Sequence, residues 1–175
     1  MALDTRELWQ MYTTSGKQFL KLGNLRDAQR MFQAALQVAE GFGHADPRLG
    51  VALNNLARVR QARRRFGEAE ALYRRALDIA VQTHGRRHAD TAVNLANLAG
   101  LYQAQGRLDE AETHYKEAIE IFGQTMGDEH PSMARLLDAY ATLLRKMGRT
   151  DQAAKAHDWA ETIRARQAGE RPCGQ

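Results

Sequence analysis

The sequence is short of proline, which breaks a helix, and of cysteine, which cross-links a chain. It has one cysteine and three prolines in 175 residues, and aromatic residues make up 7%. A lone thiol, Cys173, excludes an internal disulfide and a thiolate metal cluster, and it fits a reducing cytoplasm, the expected compartment. No apolar run approaches the roughly 20 residues that cross a bilayer. The segment Met1 to Gln10 lacks the basic stretch and apolar core of a secretory signal, so neither membrane association nor export is expected. Also missing are a glycine-rich phosphate loop, a nucleophile elbow and paired metal ligands. No enzyme, cofactor or metal is therefore expected.

What remains is rich in Ala, Leu, Glu, Arg and Gln, all strong helix formers. With 43% hydrophobic and 26% charged residues, the chain is too apolar for disorder, and an all-α fold follows. The net charge of +4 conceals a pattern. Residues 51–90 hold nine Lys/Arg against four Asp/Glu, whereas residues 91–132 hold two against seven. A basic segment beside an acidic one does not make a uniform face for nucleic acid.

The dominant signal is an internal repeat at an offset of 42. Glu68-Ala69-Glu70 falls on Glu110-Ala111-Glu112, Tyr73 on Tyr115, and Ala76 on Ala118. Asn55-Leu56-Ala57 falls on Asn97-Leu98-Ala99, Gly85 on Gly127 and His88 on His130. One more step reaches Gly148, Ala153, Ala160 and Ile163. A step of 41 backwards reaches Ala28, Phe32, Ala35 and Val38. Four units result, at about 5–45, 46–88, 89–130 and 131–168, within one domain spanning 1–168 and followed by a polar tail at 169–175.

Each unit reads as two amphipathic helices. In the third, Leu95, Leu98, Leu101 and Tyr102 form one stripe, Gly106-Arg107-Leu108 turns the chain, and Asp109 is expected to cap the next helix. Gly23 and Gly148 mark the equivalent inner turns, and short connections make neighbouring helices antiparallel. Eight helices are expected near 4–22, 25–42, 47–63, 67–84, 89–105, 109–126, 131–147 and 151–168. Gly16, Ala57, Ala99 and Ala141 should face Ala28, Ala69, Ala111 and Ala153 where the two helices of a hairpin cross, because only small side chains let the backbones approach.

Asn-Leu-Ala in the first helix, Glu-Ala-Glu-x-x-Tyr-x-x-Ala-Leu in the second and Gly-x-x-His-Pro between units resemble the tetratricopeptide repeat, in the long form of the kinesin light chain family. The resemblance covers roughly residues 8–165 and implies a right-handed superhelical solenoid of four antiparallel helix hairpins. It also implies a concave groove lined by the first helix of each unit, which takes a peptide or protein segment. Carried onto this sequence, that groove includes Lys17, Asn54, Asn55, Arg58, Asn97, Arg135 and Arg145, with Thr13, Gln61, Val93, Gln103, Asp138 and Thr142 on the same face. An asparagine can both donate to and accept from a peptide backbone, and an arginine can hold a carboxylate through two bonds. The five-residue clamp for a C-terminal carboxylate, known in chaperone cofactors of this class, has no full match here. Thr13, Lys17, Asn55, Val93 and Asn97 supply one asparagine match, and so do Asn54, Arg58, Asn97, Arg135 and Ala139.

Three further features compete for attention. His88 and His130 recur at the repeat interval, which favours a structural role in capping or packing over metal binding. Arg58, Arg60, Arg63, Arg64 and Arg65 could meet RNA phosphates, but they sit at a helix end where cations offset exposed carbonyls, so nucleic-acid binding ranks third. Trp159 and Ile163 mark the last helix as a candidate surface for self-association into a homo-oligomer.

Overall fold

The computed structural model describes residues 4–44 and 46–169. Of the expected polar tail, residues 170–175 lie outside the described residues, Cys173 among them. Eight helices run α1 (Thr5–Lys21), α2 (Leu25–Glu40), α3 (Pro47–Ala62), α4 (Phe66–His84), α5 (Ala89–Gln105), α6 (Leu108–Met126), α7 (Pro131–Lys146) and α8 (Thr150–Gln167). No strand occurs among the described residues. The helices pair as hairpins α1/α2, α3/α4, α5/α6 and α7/α8. The hairpins group into two compact units, Met1–Gly85 and Arg86–Gln175, of two hairpins each.

The small residues expected at the crossings are buried in all four hairpins. Ala57, Ala99 and Ala141 are fully buried, as are Ala28, Ala69, Ala111 and Ala153. The first hairpin uses Gly16 because Phe32 occupies the space a methyl would need. A Cβ on Gly16 would lie 2.5 Å from Phe32 Cε1. At the position of Phe32 the second and third hairpins carry Tyr73 and Tyr115, each almost fully buried. Their hydroxyls donate across the hairpin to Gln61 Oε1 (3.2 Å) and Gln103 Oε1 (3.3 Å). Burial raises both phenol pKa values, Tyr115 to about 12, so each hydroxyl remains a donor at neutral pH. Where the first hairpin substitutes Phe32, the glutamine position is Leu20, which packs against Phe32 in the same apolar cluster. The polar pair and the apolar pair are alternative solutions at one place.

The inner turns are also alike. In each, the residue after the left-handed position donates its N–H five residues back. The bonds are Asn24 to Phe19, Arg65 to Arg60, Arg107 to Tyr102 and Arg149 to Leu144, all 2.9 Å. This closure satisfies carbonyls that the helix end leaves free and needs one residue at positive φ. Gly23, Gly106 and Gly148 supply it at φ 75°, 80° and 76°. The second hairpin supplies Arg64, at φ 59°, the one non-glycine with positive φ among the described residues.

Asp109 does not cap α6. The helix begins at Leu108, so Arg107 takes the N-cap position and Asp109 falls in the first turn. No side-chain cap bond forms at Arg65, Arg107 or Arg149. Instead each arginine reaches three residues forward, Arg65 to Glu68, Arg107 to Glu110 and Arg149 to Gln152. The left-handed turn brings the chain into the helix two residues earlier than a cap at Asp109 requires. The first helices are capped conventionally, by Asp4 with Glu7 in a capping box, by Asp46, and by His88 and His130. His88 Nδ1 accepts from Asp90 N at 3.2 Å and His130 Nδ1 from Ser132 N at 3.1 Å, so the recurring histidines are helix caps.

Two stability outcomes follow. Ala99→Leu should lose about 1–3 kcal/mol by overpacking a full crossing. Arg64→Gly should gain roughly 0.5–1 kcal/mol, since relief of a left-handed side chain exceeds the added chain entropy of glycine. Urea midpoints measure both, and an Arg64→Gly midpoint at or below the parent's would show that the turn carries no strain.

Candidate functional site

In the second unit the first helices, α5 and α7, flank a cavity of about 310 Å³. Its floor is apolar, with Tyr115 and Phe122 from α6 and Leu136 from α7. Asn97, Ser132 and Arg135 supply polar groups at the sides. Arg135 Nη2 donates to Ser132 Oγ at 3.0 Å and pairs with no carboxylate among the described residues. Asn97 is half-buried and Arg135 exposed. Val93, 41% exposed, stands beside them. Ser132 escaped the sequence reading, although it lies three residues before Arg135 on one helical face. Arg145 is exposed further along α7 and does not line this cavity.

In the first unit, α1 and α3 carry the remaining candidates. Lys17 and Arg58 are exposed, and Asn54 is half-buried. Asn55 is different, being 5% exposed. Its Nδ2 is buried without a hydrogen-bond partner, and Thr13 Oγ1 on α1 shares that condition. Most buried polar groups are bonded, and Trp9 Nε1 on α1 is a further exception. Gln61 and Gln103 turn away from the role expected of them, because the buried tyrosines take their carbonyl oxygens. Asp138 is engaged too, by His157 and Arg164 of α8.

The fourth hairpin separates the two self-association candidates. Ile163 is 1% exposed and belongs to the core. Trp159 is 39% exposed and borders a second cavity, of about 360 Å³, between α6 and α8. Ile119, Leu137 and Tyr140 line its apolar wall, and Lys116 and Lys155 lie nearby. Tyr140 also joins the third hairpin to the fourth. Its hydroxyl donates to Glu112 Oε1 (3.2 Å), which Lys116 Nζ (2.8 Å) and Arg149 Nη1 (2.7 Å) also approach. The Lys116 bond and then Arg149 hold the Glu112 carboxyl below its ordinary pKa.

The arginine cluster of α3 is largely committed within its own unit. Arg60 lies 3.3 Å from Glu68, Arg65 pairs with the same carboxylate, and Arg63 donates to Gln29. No helix of the described residues is long and apolar enough to cross a membrane.

Four helical hairpins in sequence register, with equivalent crossings, turns and caps, define an all-α repeat protein of the solenoid class. The profile of the tetratricopeptide repeat matches residues 10–80, 48–124 and 90–166, and the chain belongs to that family. No curated protein matches the chain. Among solved structures it is similar to BtubC (BKLC) from P. vanneervenii, with 23% identity over 99% of this chain and 70% of that one, at a TM-score of 0.78. It is similar as well to a putative kinesin light chain of Podosopora anserina, with 21% identity over 91% and 76% of the two chains and a TM-score of 0.67. The pilF protein of Pseudomonas aeruginosa matches at 22% identity over 91% and 62%, also with a TM-score of 0.67. These likenesses establish the fold. Tetratricopeptide repeats generally mediate protein–protein interaction or scaffolding, and the fold is typically non-catalytic.

The two buried asparagines of the first helices offer a matched test. Asn94 is as buried as Asn55, but its Nδ2 donates to Asp90 O at 2.7 Å. Asn94→Ala should cost about 1 kcal/mol or more beyond Asn55→Ala, which discards an unbonded donor. Equal losses in urea unfolding would mean that Asn55 has a structural partner in solution.

Proposed function

We propose that this protein is a scaffold that holds an extended segment of another protein against the first helices of its hairpins, and is not a catalyst. The observation that carries this is the cavity between α5 and α7. It has room for one or two side chains of a bound segment, an aromatic and aliphatic floor to receive them, and Asn97 and Arg135 beside it. Asn97 can pair with the backbone of the segment while Arg135 takes a carboxylate. Self-association through the fourth hairpin is the second reading, favoured by the exposure of Trp159 beside its cavity.

Affinity capture with the full chain, followed by mass spectrometry, would supply partner segments. Against a segment so found, Asn97→Ala combined with Arg135→Ala should weaken binding by about 1–3 kcal/mol, with the helical circular dichroism unchanged. Undiminished affinity in the folded double variant would move the binding surface off α5 and α7.

A further inference from the structure

The α6–α8 cavity opens where one leucine of the repeat is missing. Its walls are Ile119 on α6, Leu137 and Tyr140 on α7, and Ala156 and Trp159 on α8. The same register positions in the first unit are Leu36, Leu53, Leu56, Leu72 and Arg75. There Leu72 packs against the clusters that hold Leu53 and Leu56, as Leu36 does. In the fourth hairpin that leucine is Ala156, whose methyl is buried and leaves the space beside it open. Where the first unit has Arg75, paired with Glu40, the fourth hairpin has Trp159. Of the exposed large apolar side chains among the described residues, Trp159 is the aromatic one.

The rim of this hollow carries both signs of charge. Lys116 is engaged with Glu112. Lys155 pairs with no carboxylate among the described residues. Glu120 Oε1 accepts from Gln124 Nε2 at 3.1 Å and pairs with no cation among the described residues. One face of the second unit thus holds a large aromatic side chain, an apolar hollow, an unpaired cation and an unpaired anion. A patch with both a projection and a hollow, and with both signs of charge, complements itself across a two-fold axis. A foreign segment of one sign would meet a like charge on this rim.

We infer that this face is a two-fold interface between copies of the chain, in which Trp159 of each copy enters the α6–α8 hollow of the other and Lys155 of each meets Glu120 of the other. The inference rests on the self-association reading and supplies its contact. The tryptophan takes the place that Leu72 holds in the first unit, against Ile119, Leu137 and Tyr140. A buried tryptophan is a common anchor of protein interfaces, and the symmetry makes each anchor count twice. The α5–α7 cavity shares no lining residue with this hollow, so paired copies keep Asn97 and Arg135 available to a partner segment.

Sedimentation equilibrium of the full chain, from low to high micromolar concentration, should show the parent passing from monomer to dimer. Ala156→Leu restores the residue of the first unit and fills the hollow. It should weaken the dimer at least about tenfold, with the thermal midpoint at or above the parent's. Trp159→Ala should weaken it about a hundredfold, since two anchors are lost. Lys155→Glu should weaken it about tenfold, and adding Glu120→Lys should restore the parent's constant, because the exchanged charges meet again across the axis. A parent that stays monomeric overturns the inference and the self-association reading together. A parent that dimerises, while either folded Ala156→Leu or folded Trp159→Ala dimerises equally well, overturns the inference alone, because the copies then meet elsewhere. Should those variants fail to fold, the charge exchange carries the test, and a double variant no tighter than Lys155→Glu overturns the inference.

Discussion

The close approach of two backbones inside each hairpin governs the rest of the structure. Ala28, Ala57, Ala69, Ala99, Ala111, Ala141 and Ala153 are all buried, and a Cβ on Gly16 would meet the ring of Phe32, so no larger side chain fits at these positions. Close crossing forces bulk to either side, where Leu56, Leu98, Tyr73 and Tyr115 fill the gaps. It also fixes how sharply the chain must reverse, which is why the same left-handed turn and the same five-residue backbone bond occur four times. The turn sets where the second helix begins, and that in turn places its tyrosine opposite the glutamine of the first helix.

Within that frame the informative residues are those that break the repeat. Phe32 with Leu20 replaces Tyr73 with Gln61 and preserves the packing while removing a polar pair. Arg64 keeps a turn that elsewhere uses glycine. Asp138, His157 and Arg164 stand in contact at the positions where the third hairpin has Ala96, Tyr115 and Phe122. The first two breaks are tolerated inside a hairpin and leave its surface alone. The third places a partly exposed polar cluster on α7 and α8, which a comparison of positions across repeats picks out.

The helix boundaries were legible in the sequence to within two residues because period, turn glycines and cap residues agree. Asp109 was misread because cap chemistry was judged without the turn geometry, which puts the cap two residues earlier, at Arg107. The site was less legible. Periodicity says which face a residue is on, but not how far it is covered or what it bonds. Hence Asn55 and Arg58, both assigned to the groove from the family pattern, differ sharply in exposure, and Gln61 and Gln103 prove to serve buried tyrosines. Ile163 and Trp159 sit four residues apart on α8, yet one is core and the other surface, because a helix turns by 40° over that interval and α6 covers only part of it.

The charge pattern is where sequence and surface diverge most usefully. Residues 91–132 are the acidic stretch, but none of its carboxylates is on α5. Asp109, Glu110, Glu112, Glu117 and Glu120 are on α6, and Asp128 and Glu129 follow it. Several are already matched, Glu110 by Arg107, Glu112 by Lys116 and Arg149, and Glu129 by Arg166. The one acid on the groove-facing side of α7, Asp138, is held by His157 and Arg164. Arg135 therefore pairs with no carboxylate among the described residues, and the one acid of α5, Asp90, lies in its first turn. Fields between exposed charges fade over about 10 Å at ordinary ionic strength, so the local arrangement outweighs the sum over the segment. The surface between α5 and α7 thus joins Arg135, from outside the acidic stretch, to an apolar floor, and the formal charge summed over residues 91–132 does not describe it.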